Sequence, residues 1–118
     1  METSSRTAQL CIAGTQAEFE RRIDDARRCY LQAWQAVLDD YDAAMAAHYV
    51  AHLESDAGTA LPWHLRALKA AYRDDRTREF RASLHVSLGG CYETLGTPEA
   101  ERHFAIAAQL GIVHTRTR

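Results

Sequence analysis

The stretch "LHVSLGGCYETLGTPEAERHFAIAA", Leu84 to Ala108, decides how the chain is read. Apolar residues recur in it at helical intervals, yet Gly89 and Gly90 sit side by side where a helix should be densest. Each glycine inside a helix costs about 1 kcal/mol relative to alanine. A gain in packing has to offset that cost.

Working outward, the remaining sequence is also helical in character. Of 118 residues, 21 are alanine, and runs of β-branched residues are missing, which favours helices over strands. "TQAEFERRIDDARRCYLQAWQAVL" opens with Thr15 and Glu18 at capping-box spacing. Phe19, Ile23, Ala26, Tyr30, Ala33 and Val37 follow at three- and four-residue steps, which predicts one long helix over 15–38. A second helix is expected from about Tyr41 to Leu53, with Asp39 or Asp40 as its cap, and a third from about Thr59 to Tyr72 after a turn at Gly58. A fourth ends at Gly96, and Thr97 with Pro98 starts a fifth that runs to about Leu110. Residues 1–14 read as a flexible N-terminal segment and 111–118 as a tail.

Three of these five helices carry the same pattern. Ala26–Tyr30–Ala33, Ala60–His64–Ala67 and Ala100–Phe104–Ala107 all read A-x3-ring-x2-A, displaced by 34 and then 40 residues. Small residues flanking a ring let a helix approach its partner closely, and a period of this length marks stacked helical hairpins.

His85, Leu88, Gly89 and Tyr92 occupy the positions of the W-x2-L-G-x2-Y motif of the tetratricopeptide repeat, and Ala100 and Phe104 its later A-x3-F. The chain therefore resembles a tetratricopeptide-repeat protein, similar to the short ones common in high-GC actinobacteria. Departures are visible: His85 stands at the tryptophan position, Ile112 at the closing proline, and the hairpin loop is one residue short. The resemblance implies an all-α fold of antiparallel hairpins stacked as a short right-handed solenoid over 15–110. Within it, 15–38 would be a capping helix, 41–72 a first hairpin and 77–110 a second. Gly89 would then be the point where the two helices of a hairpin cross.

The same resemblance implies a non-enzymatic scaffold that binds a protein or peptide in a concave groove lined by the second and fourth helices. His48, Tyr49 and His52 on the second, and Ser83, Val86, Gly90, Glu93 and Thr94 on the fourth, are the expected groove residues. The family's carboxylate clamp uses asparagine and lysine there. This chain has no asparagine, and its single lysine, Lys69, falls on the third helix, so such a clamp is not expected.

Other functions find less support. Net charge is −2 with signs interleaved, as in "FERRIDDARR", which is the pattern of solvated helix faces rather than of a nucleic-acid footprint. No apolar run is long enough to span a membrane, and no signal-peptide pattern opens the chain. Three cysteines, Cys11, Cys29 and Cys91, lie at no motif spacing, and reduced thiols in the cytoplasm are expected. Adjacent acids such as Asp24–Asp25 do not face each other on a helix and make poor acid–base partners. No phosphate-cradling loop or nucleophile motif occurs, and no cofactor is expected.

Two alternatives stay open. His48 and His52 at i, i+4, with His85 as a third ligand, would make a small helical metal-binding protein or enzyme. Tyr49 stands where the zinc motif would carry its glutamate, and Val50 and Ala51 fill the interior positions, so a general base is missing. Alternatively the apolar end at Ile112 and Val113 would pair with its own copy, making a homodimeric assembly subunit.

Overall fold

The computed structural model describes residues 5–111. They fold into six α-helices and no strand: α1 (Arg6–Phe19), α2 (Ile23–Gln35), α3 (Asp40–His52), α4 (Ala57–Ala71), α5 (Arg81–Leu95) and α6 (Glu99–Gln109). A 3₁₀ segment, Asp75–Phe80, precedes α5. Local chemistry sets most of the boundaries. Ser5, Asp39 and Asp56 each accept a hydrogen bond from the backbone N–H three residues on, at 2.9, 2.8 and 3.0 Å, and so start α1, α3 and α4. Gly96, at φ 74°, closes α5 in the left-handed region.

Two expectations are overturned in the first third. Residues 6–14 are helical rather than flexible, and the single helix expected over 15–38 is two helices, giving six in all rather than five. The chain turns sharply through Glu20, Arg21 and Arg22, with Arg21 at φ 64°. No glycine, proline or asparagine marks that turn, and a positive φ at arginine is uncommon. Thr15 and Glu18 consequently lie inside α1 and form no capping box; Thr15 Oγ1 donates to the Cys11 carbonyl instead. Gly58 likewise sits within α4 and turns nothing. The last hairpin starts at Arg81, not at 77, because the 3₁₀ segment takes up the connector. Ile112 and Val113, on which self-pairing was expected, lie outside the described residues.

Helices adjacent in sequence pack as pairs, α1 on α2, α3 on α4 and α5 on α6, and the pairs meet through α2–α3, α1–α3 and α4–α5. The three-fold pattern on α2, α4 and α6 faces these contacts: Ala26, Ala33, Ala60, Ala67, Ala100 and Ala107 are all buried. Trp34 joins the separate apolar clusters, packing against all three and standing edge-on to Trp63 at 5.3 Å. The 3₁₀ segment is tied back by Thr77, whose hydroxyl donates to the Ala71 carbonyl, and by Arg76, which reaches Asp74 and Asp39 and lies over the Tyr41 ring.

Two of the three rings, Tyr30 and Phe104, have a defined seat. A Cβ on Gly89 would lie 2.6 Å from Phe104 Cε1, and one on Gly14 would lie 2.6 Å from Tyr30 Cδ1. In both hairpins an aromatic ring thus rests directly on the partner helix's backbone. Gly90, by contrast, has nothing within 4 Å of where its Cβ would be. The packing gain belongs to Gly89 alone.

Leucine at Gly14 or Gly89 is expected to lower the unfolding free energy by about 1–3 kcal/mol through overpacking. Alanine at Gly90 should raise it by about 0.5–1 kcal/mol, the helix-propensity difference. Urea denaturation of the three variants checks both signs.

Candidate functional site

A hollow of about 670 Å³ opens between α1, α3 and the start of α5. From α3 come Tyr41, Ala44, Met45, His48 and Tyr49; from α1, Cys11, Ile12 and Gln16; from the 3₁₀ segment and α5, Glu79, Phe80 and Ser83. The first helix of every hairpin contributes. The volume is within the roughly 300–1,000 Å³ of ligand pockets, and the walls are mainly apolar and aromatic, as in such pockets.

Its electrostatics are simple. Glu79 is the one lining residue with a carboxylate, and it is exposed; no lysine or arginine lines the hollow. His48 is held neutral, its pKa lowered by burial and then by His52. The Cys11 thiol is pushed up to about 12, by burial first and Asp42 second, so it is no thiolate nucleophile at neutral pH. Cys91 is also pushed up by burial, and its Sγ–H donates to the Ala57 carbonyl at 3.1 Å.

The residues singled out from sequence divide between two places. His48, Tyr49 and Ser83 line this hollow, while His52, Gly90 and Thr94 line a second, smaller one of about 360 Å³ at the C-terminal end of α3. Val86 and Glu93 line neither. Most of the α1 wall, Ala8, Cys11 and Ile12, falls in residues 1–14, where a flexible segment is expected from sequence. A helical spacing of Ala8, Cys11, Ile12 and Thr15 was the available signal.

The three-histidine metal cluster does not assemble. His52 Nε2 meets Glu18 at 2.7 Å, an acid that also accepts from the Tyr30 hydroxyl at 2.8 Å. His85 is buried elsewhere, with one ring nitrogen on Tyr72 and the other on His103, each at 2.9 Å. Among the described residues, no three His, Cys, Asp or Glu side chains form a metal-holding group.

The middle hairpin departs from its neighbours at the crossing. Gly14 and Tyr30 meet in the first hairpin and Gly89 and Phe104 in the third. Advancing the first pair by 34 residues gives His48 and His64. Two imidazoles therefore occupy the place of a ring on glycine, and each has a buried Nδ1 with no hydrogen-bond partner. Burial, then the proximity of His48, lowers the pKa of His64 to about 4.

This arrangement makes stability depend on pH. The folded state keeps His64 neutral while the unfolded chain takes up a proton near 6.5. Stability is therefore full above about pH 6.5 and lost progressively toward pH 4. His64→Phe, which supplies the ring type of the other hairpins, should flatten this slope; denaturant titrations at pH 7 and pH 5 measure it, and an unchanged slope would refute the assignment.

No protein-family model matches the chain, and neither a curated protein nor a solved structure matches it.

Proposed function

We propose that the chain is a short tetratricopeptide-like scaffold, a right-handed stack of three antiparallel hairpins that binds a peptide segment of another protein without catalysis. The observation that carries the reading is the hollow walled by the first helix of all three hairpins. Support for the repeat comes from the two ring-on-glycine crossings and the third pair in the same register. The absence of a thiolate at Cys11, and the engagement of His85 by Tyr72 and His103, favour binding over chemistry.

The hollow's own chemistry narrows the occupant. An apolar, aromatic-walled space with a single carboxylate at Glu79 favours a segment that buries one large apolar side chain beside a lysine or arginine. Aromatic faces there also attract a cation. Acidic C-terminal peptides find no lysine or arginine among the lining residues. A cytoplasmic location fits the three free cysteines, and no helix among the described residues is long and apolar enough to cross a membrane.

Panning a displayed library of random dodecapeptides on the protein tests this. Enriched sequences should pair an aromatic or large aliphatic residue with a neighbouring lysine or arginine. Ile12, 55% exposed on the rim, can be changed to glutamate with little effect on melting. Ile12→Glu should weaken a selected peptide by about tenfold or more, equivalent to about 1.4 kcal/mol. Glu79→Lys should weaken basic peptides several-fold through rim repulsion. Enrichment of acidic peptides, or affinities untouched by both substitutions, would contradict the reading.

A further inference from the structure

A chain of three polar rings, the two imidazoles buried and Tyr72 half exposed, joins the last three helices. The Tyr72 hydroxyl, at the end of α4, meets His85 Nε2 at 2.9 Å, and His85 Nδ1 meets His103 Nδ1 at 2.9 Å. His85 belongs to α5 and His103 to α6, and they are only 4% and 5% exposed. The two imidazoles stack at 5.1 Å between centroids, and Tyr92 stacks on the far face of the chain against His103 at 5.5 Å.

Nitrogen-to-nitrogen contact at this distance has a strict requirement. One Nδ1 must carry a proton and the other must offer a lone pair. With both rings neutral, His85 either donates to His103 and accepts from Tyr72, or does the reverse at both ends. A single added proton is accommodated, because the charged ring donates to the neutral one. A second proton is not: two N–H groups would then face each other at 2.9 Å, each on a charged ring, in a site with little water. The charged groups nearby largely reinforce this. The Arg81 guanidinium lies over the Tyr72 ring at 4.7 Å, and Arg102 lowers the pKa of His103, while Glu99 opposes it weakly. Burial, the largest cause, lowers both histidines.

We propose that Tyr72, His85 and His103 form an acid-sensitive latch, which holds the α5–α6 hairpin on α4 while the two imidazoles share at most one added proton and releases it when both are charged. Release reaches the hollow directly, because Ser83 and Leu84, the two residues immediately before His85 on the same helix, belong to its third wall. The latch stands on its own geometry; only its use in discharging a bound peptide rests on the function proposed above.

Solution NMR of the ligand-free protein between pH 7.5 and 4.5 tests the latch, with ring resonances reporting protonation and backbone amides reporting structure. Coupled rings titrate as a pair in two steps. The second step is expected below the ordinary histidine value of about 6.5, and the α5–α6 amides should leave their native positions with it while those of α1–α2 stay. His64→Phe removes one of the two partnerless imidazoles of the middle hairpin and should leave this behaviour in place. His103→Phe should abolish it, with α5–α6 amides native throughout the range. If His103→Phe fails to fold at pH 7.5, His103→Gln, which keeps a hydrogen-bonding side chain that does not titrate, gives the same reading. Independent titration of both rings near 6.5 without amide changes, or an α5–α6 transition that survives the His103 substitution, would overturn the proposal.

Discussion

An aromatic ring laid on bare backbone is the contact on which the remaining architecture depends. Tyr30 on Gly14 and Phe104 on Gly89 bring α1 to α2 and α5 to α6 closer than any side chain would allow. Glycine at a helix centre is unfavourable by about 1 kcal/mol, and burial of a full ring face more than compensates. Around each crossing the alanines of α2 and α6 continue the close approach, so that a chain poor in large aliphatic residues still builds a dense interior. Trp34 and Trp63 then supply the bulk that alanine cannot, filling the space where the first two hairpins meet.

The middle hairpin shows what happens when that contact is replaced. His48 and His64 put two polar rings where the neighbours have one ring and no side chain, and they leave buried nitrogens without partners. Unpaired polar atoms in an interior are costly, so this is the softest of the three crossings. The third hairpin has a different histidine pair, and there both rings are hydrogen-bonded. Buried imidazoles thus mark both of the later hairpins, one pair orphaned and one satisfied. Acid bears on both, and on the two hollows that His48 and His64 respectively line.

Much of this was legible in the residues. The A-x3-ring-x2-A pattern fell on α2, α4 and α6 because it reports close packing, which small side chains permit, although the hydrophobic spacing merges α2 with the end of α1. Asp39 and Gly96 were readable because their roles are local: a carboxylate on a free N–H, and a backbone twist that glycine adopts without strain. The turn at Arg21 was not, since arginine carries no signature of a positive φ and the hydrophobic period runs on through it. That one omission concealed α1, and with it a whole wall of the hollow and the first hairpin's own glycine crossing. His85 illustrates a different limit. Spacing gave its helix, but whether it would meet a metal, His48 or His103 depended on which helix packed behind it, a matter of tertiary structure.

Hydrogen exchange by mass spectrometry on Gly14→Leu tests most directly whether ring-on-glycine crossings hold the molecule together hairpin by hairpin. A stack of hairpins, each touching only its neighbours, should lose protection most in α1–α2, less in α3–α4 and least in α5–α6. Equal loss of protection across all six helices, or none in α1–α2, would contradict the account.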